Sequence, residues 1–230
     1  MHQTAVKKAQ GVIVKILLDS AMRADIQPTL RSGFVAGVTT NPTLLRRAGV
    51  RTAEVAALAQ AILAWGAGEL HLQVYAPDAA GMLAEAAQLL AIDPTRVIVK
   101  IPATPAGYCA AAQLVHEGAR VTLTAVYTLR QVLLAHSVGA HYAAIYLGRM
   151  RDAGLDALAL VGQMQTLLRA QSSPMKILAA SIRDPDEVTQ LALAGIESAT
   201  LPAPILAQLL DSDTTAQAAA AFAEDARAIR

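Results

Sequence analysis

One pattern recurs eight times along this chain: a short β-branched or alternating apolar run, followed by an Ala/Leu-rich stretch with helical spacing. Strict alternation of strand and helix is the mark of βα units on a parallel sheet, and it leaves few architectures open. The runs fall at 14–18, 35–39, 69–75, 96–101, 120–125, 141–147, 175–180 and 198–201. Helices are predicted near 23–30, 52–65, 78–90, 105–117, 128–137, 155–170 and 185–193, and two more at 204–210 and 214–228 follow the eighth strand. Eight such units in 230 residues predict an α/β fold, a single (β/α)8 TIM barrel domain over 1–230. The segment 214–228 is read as an extra C-terminal helix docked on the barrel or on a neighbouring subunit. Local punctuation agrees: Asp78 and Asp184 read as helix N-caps, Pro105 opens a helix, and Gly118, Gly139 and Gly195 fall where helices should end.

Composition narrows the partners. A 54% hydrophobic content supplies one substantial core, and a net charge of +1 without any Lys/Arg block gives no footprint for nucleic acid or an anionic membrane surface. No apolar run approaches the ~18 residues that a bilayer span requires. The single Cys109 excludes an intramolecular disulfide, and on an Ala-rich helix it is expected to be buried and inert. With neither the long apolar stretch nor the cleavage site of a signal peptide, the chain is expected in a reducing cytoplasm.

A barrel of this kind carries its chemistry at the C-terminal ends of its strands. Polar residues here gather at those ends: Asp19, the Thr39-Thr40-Asn41 corner, Gln73, Lys100, Thr124, Tyr146 with Arg149 after it, and Ser181 with Arg183. Alternate strand residues share a face, so Leu17 with Asp19, Ile98 with Lys100, Thr122 with Thr124 and Ala144 with Tyr146 can all point inward. Lys100 stands out because it follows Val97-Ile98-Val99. Burial penalises the charged form of an amine, which moves a strand-buried lysine toward the free base that attacks a carbonyl. Each residue also has a plainer reading. Lys100 could snorkel to water, Asp19 could cap the first helix, and Thr39 to Pro42 could simply form a turn. Lys15 and Lys176 also lie in apolar strands, but near strand starts; Lys15 is the rival nucleophile. His71, His116, His136 and His141 lack metal-ligand spacing and read as packing or surface residues.

These residues carry a family resemblance over nearly the whole chain. The stretches Leu17-Leu18-Asp19-Ser20, Ala36-Gly37-Val38-Thr39-Thr40-Asn41-Pro42, Val97-Ile98-Val99-Lys100-Ile101-Pro102, Thr124-Ala125-Val126-Tyr127, Tyr146-Leu147-Gly148-Arg149 and Leu178-Ala179-Ala180-Ser181-Ile182-Arg183 resemble the small transaldolase-like family, and within it most nearly the fructose 6-phosphate aldolases. The resemblance implies a class I enzyme with Lys100 as Schiff-base lysine. It assigns proton transfer to Asp19 and to Tyr146 with Gln73 and Thr124, contacts to substrate hydroxyls to Asn41 beside Thr39, and the sugar phosphate to Arg149, Ser181 and Arg183. No metal or other cofactor is implied, because an iminium is itself the electron sink.

Two readings of the reaction follow from the resemblance. Gln73 and Tyr146 look like the aldolase pair, where transaldolases tend to carry glutamate and phenylalanine. Such an aldolase would cleave fructose 6-phosphate to dihydroxyacetone and glyceraldehyde 3-phosphate. Gly148 points the other way: aldolases of the family have asparagine before the arginine and transaldolases glycine. The alternative is a transaldolase moving a dihydroxyacetone unit between sugar phosphates, and a third reading is a barrel that only binds a sugar phosphate. Partners are thus small sugar phosphates or dihydroxyacetone, with neither nucleic acid nor membrane. The resemblance also implies a homo-oligomer, pentamers or stacked decamers.

Overall fold

The structure, a computed structural model, describes residues 14–229. Eight parallel strands close into a barrel in sequence order: β1 Lys15–Asp19, β2 Gly37–Thr39, β3 Glu69–Gln73, β4 Val97–Pro102, β5 Val121–Val126, β6 Tyr142–Tyr146, β7 Lys176–Ala180 and β8 Ser198–Leu201. All eight predicted runs are strands. Each alternates between two environments. On β4, Val97, Val99 and Ile101 face the helices in the main core, whereas Ile98 packs inside the barrel with Leu17, Tyr142, Ala144 and Leu178.

The helices are α1 Arg23–Arg31, α2 Pro42–Arg47, α3 Val55–Ala64, α4 Ala79–Leu90, α5 Pro105–His116, α6 Leu129–Ser137, α7 Leu147–Asp152, α8 Ala157–Ala170, α9 Asp186–Leu193, α10 Ala203–Leu210 and α11 Asp213–Ala228, with a 3-10 turn at Thr52–Glu54. Asp78 caps α4 by accepting from Gly81 N at 2.8 Å, and Pro105 stands at the first helical position of α5 behind the Thr104 cap. Gly118, Gly139 and Gly195 take φ values of 86°, 77° and 82° where their helices stop. The α9 boundary differs from expectation. Asp184 accepts from Asp186 N in a turn of its own, and Pro185, with fixed φ, occupies the cap position.

Two short helices, α2 and α7, were not among the helices expected from sequence, and both carry residues that line the mouth of the barrel. Arg149 therefore lies on a helix, not on a flexible connection. Cys109 also departs from expectation: it is exposed. The inward face of α5 is formed by Gly107, Ala110, Ala111 and Leu114, and Cys109 falls on the opposite face. Among the described residues no helix is long and apolar enough to cross a membrane.

Candidate active site

The mouth of the barrel encloses a cavity of about 350 Å³ lined by Asp19, Asn41, Gln73, Lys100, Tyr146, Arg149 and Ser181, among others. Strand register assembles this set: Asp19 pairs with Thr39, Gln73 with Lys100, and Tyr146 with Ala180. Lys100 is 3% exposed, and its Nζ donates to Thr40 O at 3.1 Å. A lysine that ends inside the barrel has not snorkelled to water.

Asp19 does not cap a helix. Ser20 meets the start of α1 instead, accepting from Met22 N at 3.1 Å, while Asp19 Oδ1 accepts from Thr39 Oγ1 at 2.6 Å. Thr39 is buried and also meets Thr200 at 2.7 Å, so it holds the carboxyl from below and does not line the cavity. Burial pushes the Asp19 carboxyl up, against the opposing pull of the Lys100 charge and the Thr39 hydrogen bond. A carboxyl raised in this way can hold a proton and return it.

Across the mouth, Thr124 Oγ1 and Tyr146 OH lie 3.0 Å apart. Thr124 reaches that phenol through an irregular stretch of β5: the register with β6 shifts between Leu123 and Val126, and Ala125 takes φ 57°. Ser181, on the far side of Tyr146, takes φ 59°. Left-handed non-glycine residues cost energy, and both stand at this mouth. Among the described residues Gln73 Oε1 is buried without a partner, as is Thr40 Oγ1. A buried acceptor left unpaired is costly, so Gln73 is poised to take a donor from a bound molecule. Asn41 caps α2, accepting from Leu44 N at 3.0 Å, and still lines the cavity.

The remaining expected residues divide. Arg149 and Ser181 line the cavity. Arg183 does not: its guanidinium forks onto Asp152 at 2.7 and 2.6 Å. Gly148 lets these parts approach one another, since a Cβ there would lie 2.6 Å from Ser181 O and 2.7 Å from Arg183 Nε. Arg47 and Thr43 also line the cavity, and neither was singled out from sequence. Their signal was an i, i+4 pair just after the Thr39-Thr40-Asn41-Pro42 corner, legible only once α2 is recognised as a helix.

Lys15, the rival nucleophile, is committed elsewhere. At the opposite end of the barrel its Nζ donates to Glu69 Oε2 at 3.0 Å and lies 3.3 Å from Tyr142 OH. Burial works against its charge, but Glu69 outweighs that and raises its pKa, which keeps it an ammonium. Fully buried His71 joins the same network, 2.9 Å from Thr122 and 3.4 Å from Glu69. Lys176 is half exposed and pairs with Glu197 at 3.3 Å.

Residues 16–229 match the family model described as Transaldolase/Fructose-6-phosphate aldolase. This chain belongs to the transaldolase/fructose-6-phosphate aldolase family. A probable transaldolase of Pelotomaculum thermopropionicum is 35% identical over 212 residues, covering 92% of this chain and 97% of that protein. A probable transaldolase of Thermus thermophilus is 36% identical over 218 residues with the same coverage. Among solved structures, a mutant flavocytochrome b2 with pyruvate bound superposes with a TM-score of 0.60 at 10% identity, over 84% of this chain and 57% of that one. That last likeness speaks to the fold alone.

Proposed function

We propose that the protein is a class I aldolase that reversibly cleaves fructose 6-phosphate, or a close ketose analogue, to dihydroxyacetone and glyceraldehyde 3-phosphate through a Schiff base on Lys100. The observation that carries this reading is the buried Lys100 amine facing the cavity beside the raised Asp19 carboxyl. Lys100 attacks the C2 carbonyl, and Asp19 supplies the proton with which the carbinolamine hydroxyl leaves as water. The resulting iminium draws electrons from the C3–C4 bond. A water held by Gln73 and by the Thr124–Tyr146 pair takes up the C4 hydroxyl proton as the C3–C4 bond breaks to aldehyde and enamine. The same group returns a proton to C3, and hydrolysis frees dihydroxyacetone and the lysine. Asn41 holds hydroxyls of the three-carbon unit, and Arg149 with Ser181 receives the phosphate.

Transfer is the second reading, and two observations favour it: the relatives are named probable transaldolases, and Gly148 sits in a space that admits no side chain. The Tyr146 hydroxyl favours release, because a proton donor beside the enamine ends its life before an acceptor arrives. The two are separated by incubating the protein with fructose 6-phosphate alone. Free dihydroxyacetone formed without an acceptor supports the aldolase, and Tyr146→Phe should slow its release by about 100-fold. Turnover that begins only when an acceptor aldose phosphate is added would establish transfer.

A further inference from the structure

Two ion pairs cross between α7, which carries Arg149, and the connection from β7 to α9, which carries Ser181 and Arg183. Arg151 pairs with Glu187, a carboxylate only 4% exposed that also accepts from Arg183 N at 3.2 Å. Asp152 takes the Arg183 guanidinium, Nη1 to Oδ1 at 2.7 Å and Nη2 to Oδ2 at 2.6 Å. Gly148 N donates to Ser181 O at 3.0 Å across the same seam. Glu187 thus already holds the backbone of Arg183, and the Asp152 pair, half exposed on both sides, adds little stability. What the pair does fix is the direction of the guanidinium.

Asp152 occupies the end of that guanidinium, both Nη groups donating to it. The side edge, Nε–H with the second Nη2–H, is left over, and Nε has no partner among the described residues. That edge lies at the rim of the cavity. A Cβ on Gly148 would stand 2.7 Å from Arg183 Nε and 2.8 Å from Ser181 Oγ, so the two donors converge over the glycine that precedes Arg149. Ser181 and Arg149 line the cavity itself. Two parallel N–H groups on one edge of a guanidinium form the fork that fits two oxygens of a phosphate.

We infer that Asp152 is a positioning residue for phosphorylated substrates: by holding the end of Arg183 it turns the free edge of the guanidinium toward a phosphate at Ser181 and Arg149. The inference rests on the proposed sugar-phosphate reaction at this mouth and deepens it. Without the carboxylate, a half-exposed arginine has to be ordered each time a phosphate binds, which costs several-fold in affinity. Repulsion between Asp152 and the phosphate is the smaller effect, because solvent screens it and Arg183 carries the countercharge.

The test measures addition of dihydroxyacetone to glyceraldehyde 3-phosphate and to unphosphorylated glyceraldehyde. In Asp152→Asn the ratio of the two kcat/KM values should fall about fivefold, through a higher KM for the phosphorylated aldehyde, while the melting temperature moves by no more than about 3 °C. Equal losses on both aldehydes, or a ratio that holds or rises, would overturn the assignment. Because Asp152 acts through Arg183, adding Asp152→Asn to Arg183→Leu should leave the ratio where Arg183→Leu alone puts it; a second fall of similar size would overturn the assignment too. Binding supplies an arm independent of turnover. Lys100→Met cannot form the adduct but should bind fructose 6-phosphate, and adding Asp152→Asn should weaken that binding about fivefold. Equal or tighter binding, or no binding by Lys100→Met, would overturn the proposal. Failure of the Schiff-base reading would appear separately, as absence of a borohydride-trapped adduct in the wild type.

Discussion

Asp19 and Glu69 are both carboxylates on inward-facing strand positions, and their surroundings drive them in opposite directions. Among the described residues Asp19 has one hydrogen-bond donor, Thr39, in a buried site, so burial wins and its pKa rises. For Glu69, burial also pushes up, but the His71 hydrogen bond, the charge of Lys15 and its contact prevail and hold the group at about 2. Opposite shifts imply opposite roles. A carboxyl raised in the folded state favours folding at low pH and loses that contribution as pH rises through its folded pKa. Asp19→Asn should therefore leave the melting temperature at neutral pH no lower, while adduct formation slows about 100-fold in a trapping time course. Glu69 behaves in reverse, since its folded pKa lies below the 4.5 of an ordinary glutamate. Its contribution is present above that value and is lost as pH falls toward 2. Glu69→Gln should cost roughly 3 kcal/mol at neutral pH, and denaturant titrations at successively lower pH should show the deficit shrinking through that window. Asp19 was legible in the sequence because it ends a strand. Glu69 was not, because its partners Lys15 and Tyr142 stand 54 and 73 residues away and meet it only when the barrel closes.

At the scale of elements, the strands were readable and the devices that aim their ends were not. Runs such as Val97 to Ile101 announce themselves by apolar content, and register then brings Gln73 beside Lys100. The six-residue helices α2 and α7 span less than two turns, too short for helical periodicity to show, so Thr43 and Arg47 went unremarked and Arg149 read as a loop residue. The turn that carries Thr124 toward Tyr146 depends on an alanine at positive φ, which no composition rule anticipates. Close approaches are equally hidden. A Cβ on Gly107 would collide with Pro102 O, so that glycine lets α5 pack directly on the end of the strand bearing Lys100. Gly107→Ala should destabilise the protein by about 2 kcal/mol in equilibrium unfolding and lower the rate of adduct formation, because strand end and helix must part.

For the molecule as a whole, closure of the barrel accounts for the core, and α11 stands outside that account. None of its residues is buried, and Phe222 is 70% exposed. Of the two dockings expected from sequence, the one on its own barrel is therefore not made. A helix of 16 residues with no buried face draws little stability from propensity alone. We expect a homo-oligomer in which α11 packs on a neighbouring subunit, and truncation before Asp213 should lower the mass measured by light scattering while the barrel stays folded. The proposed function nonetheless converges on one amine. The most direct measurement is borohydride reduction of the wild-type protein with dihydroxyacetone, followed by peptide mass mapping. One reduced dihydroxyacetone unit on the peptide containing Lys100, lost in Lys100→Met, is the predicted result. An adduct on Lys15, or one that persists in Lys100→Met, would contradict it.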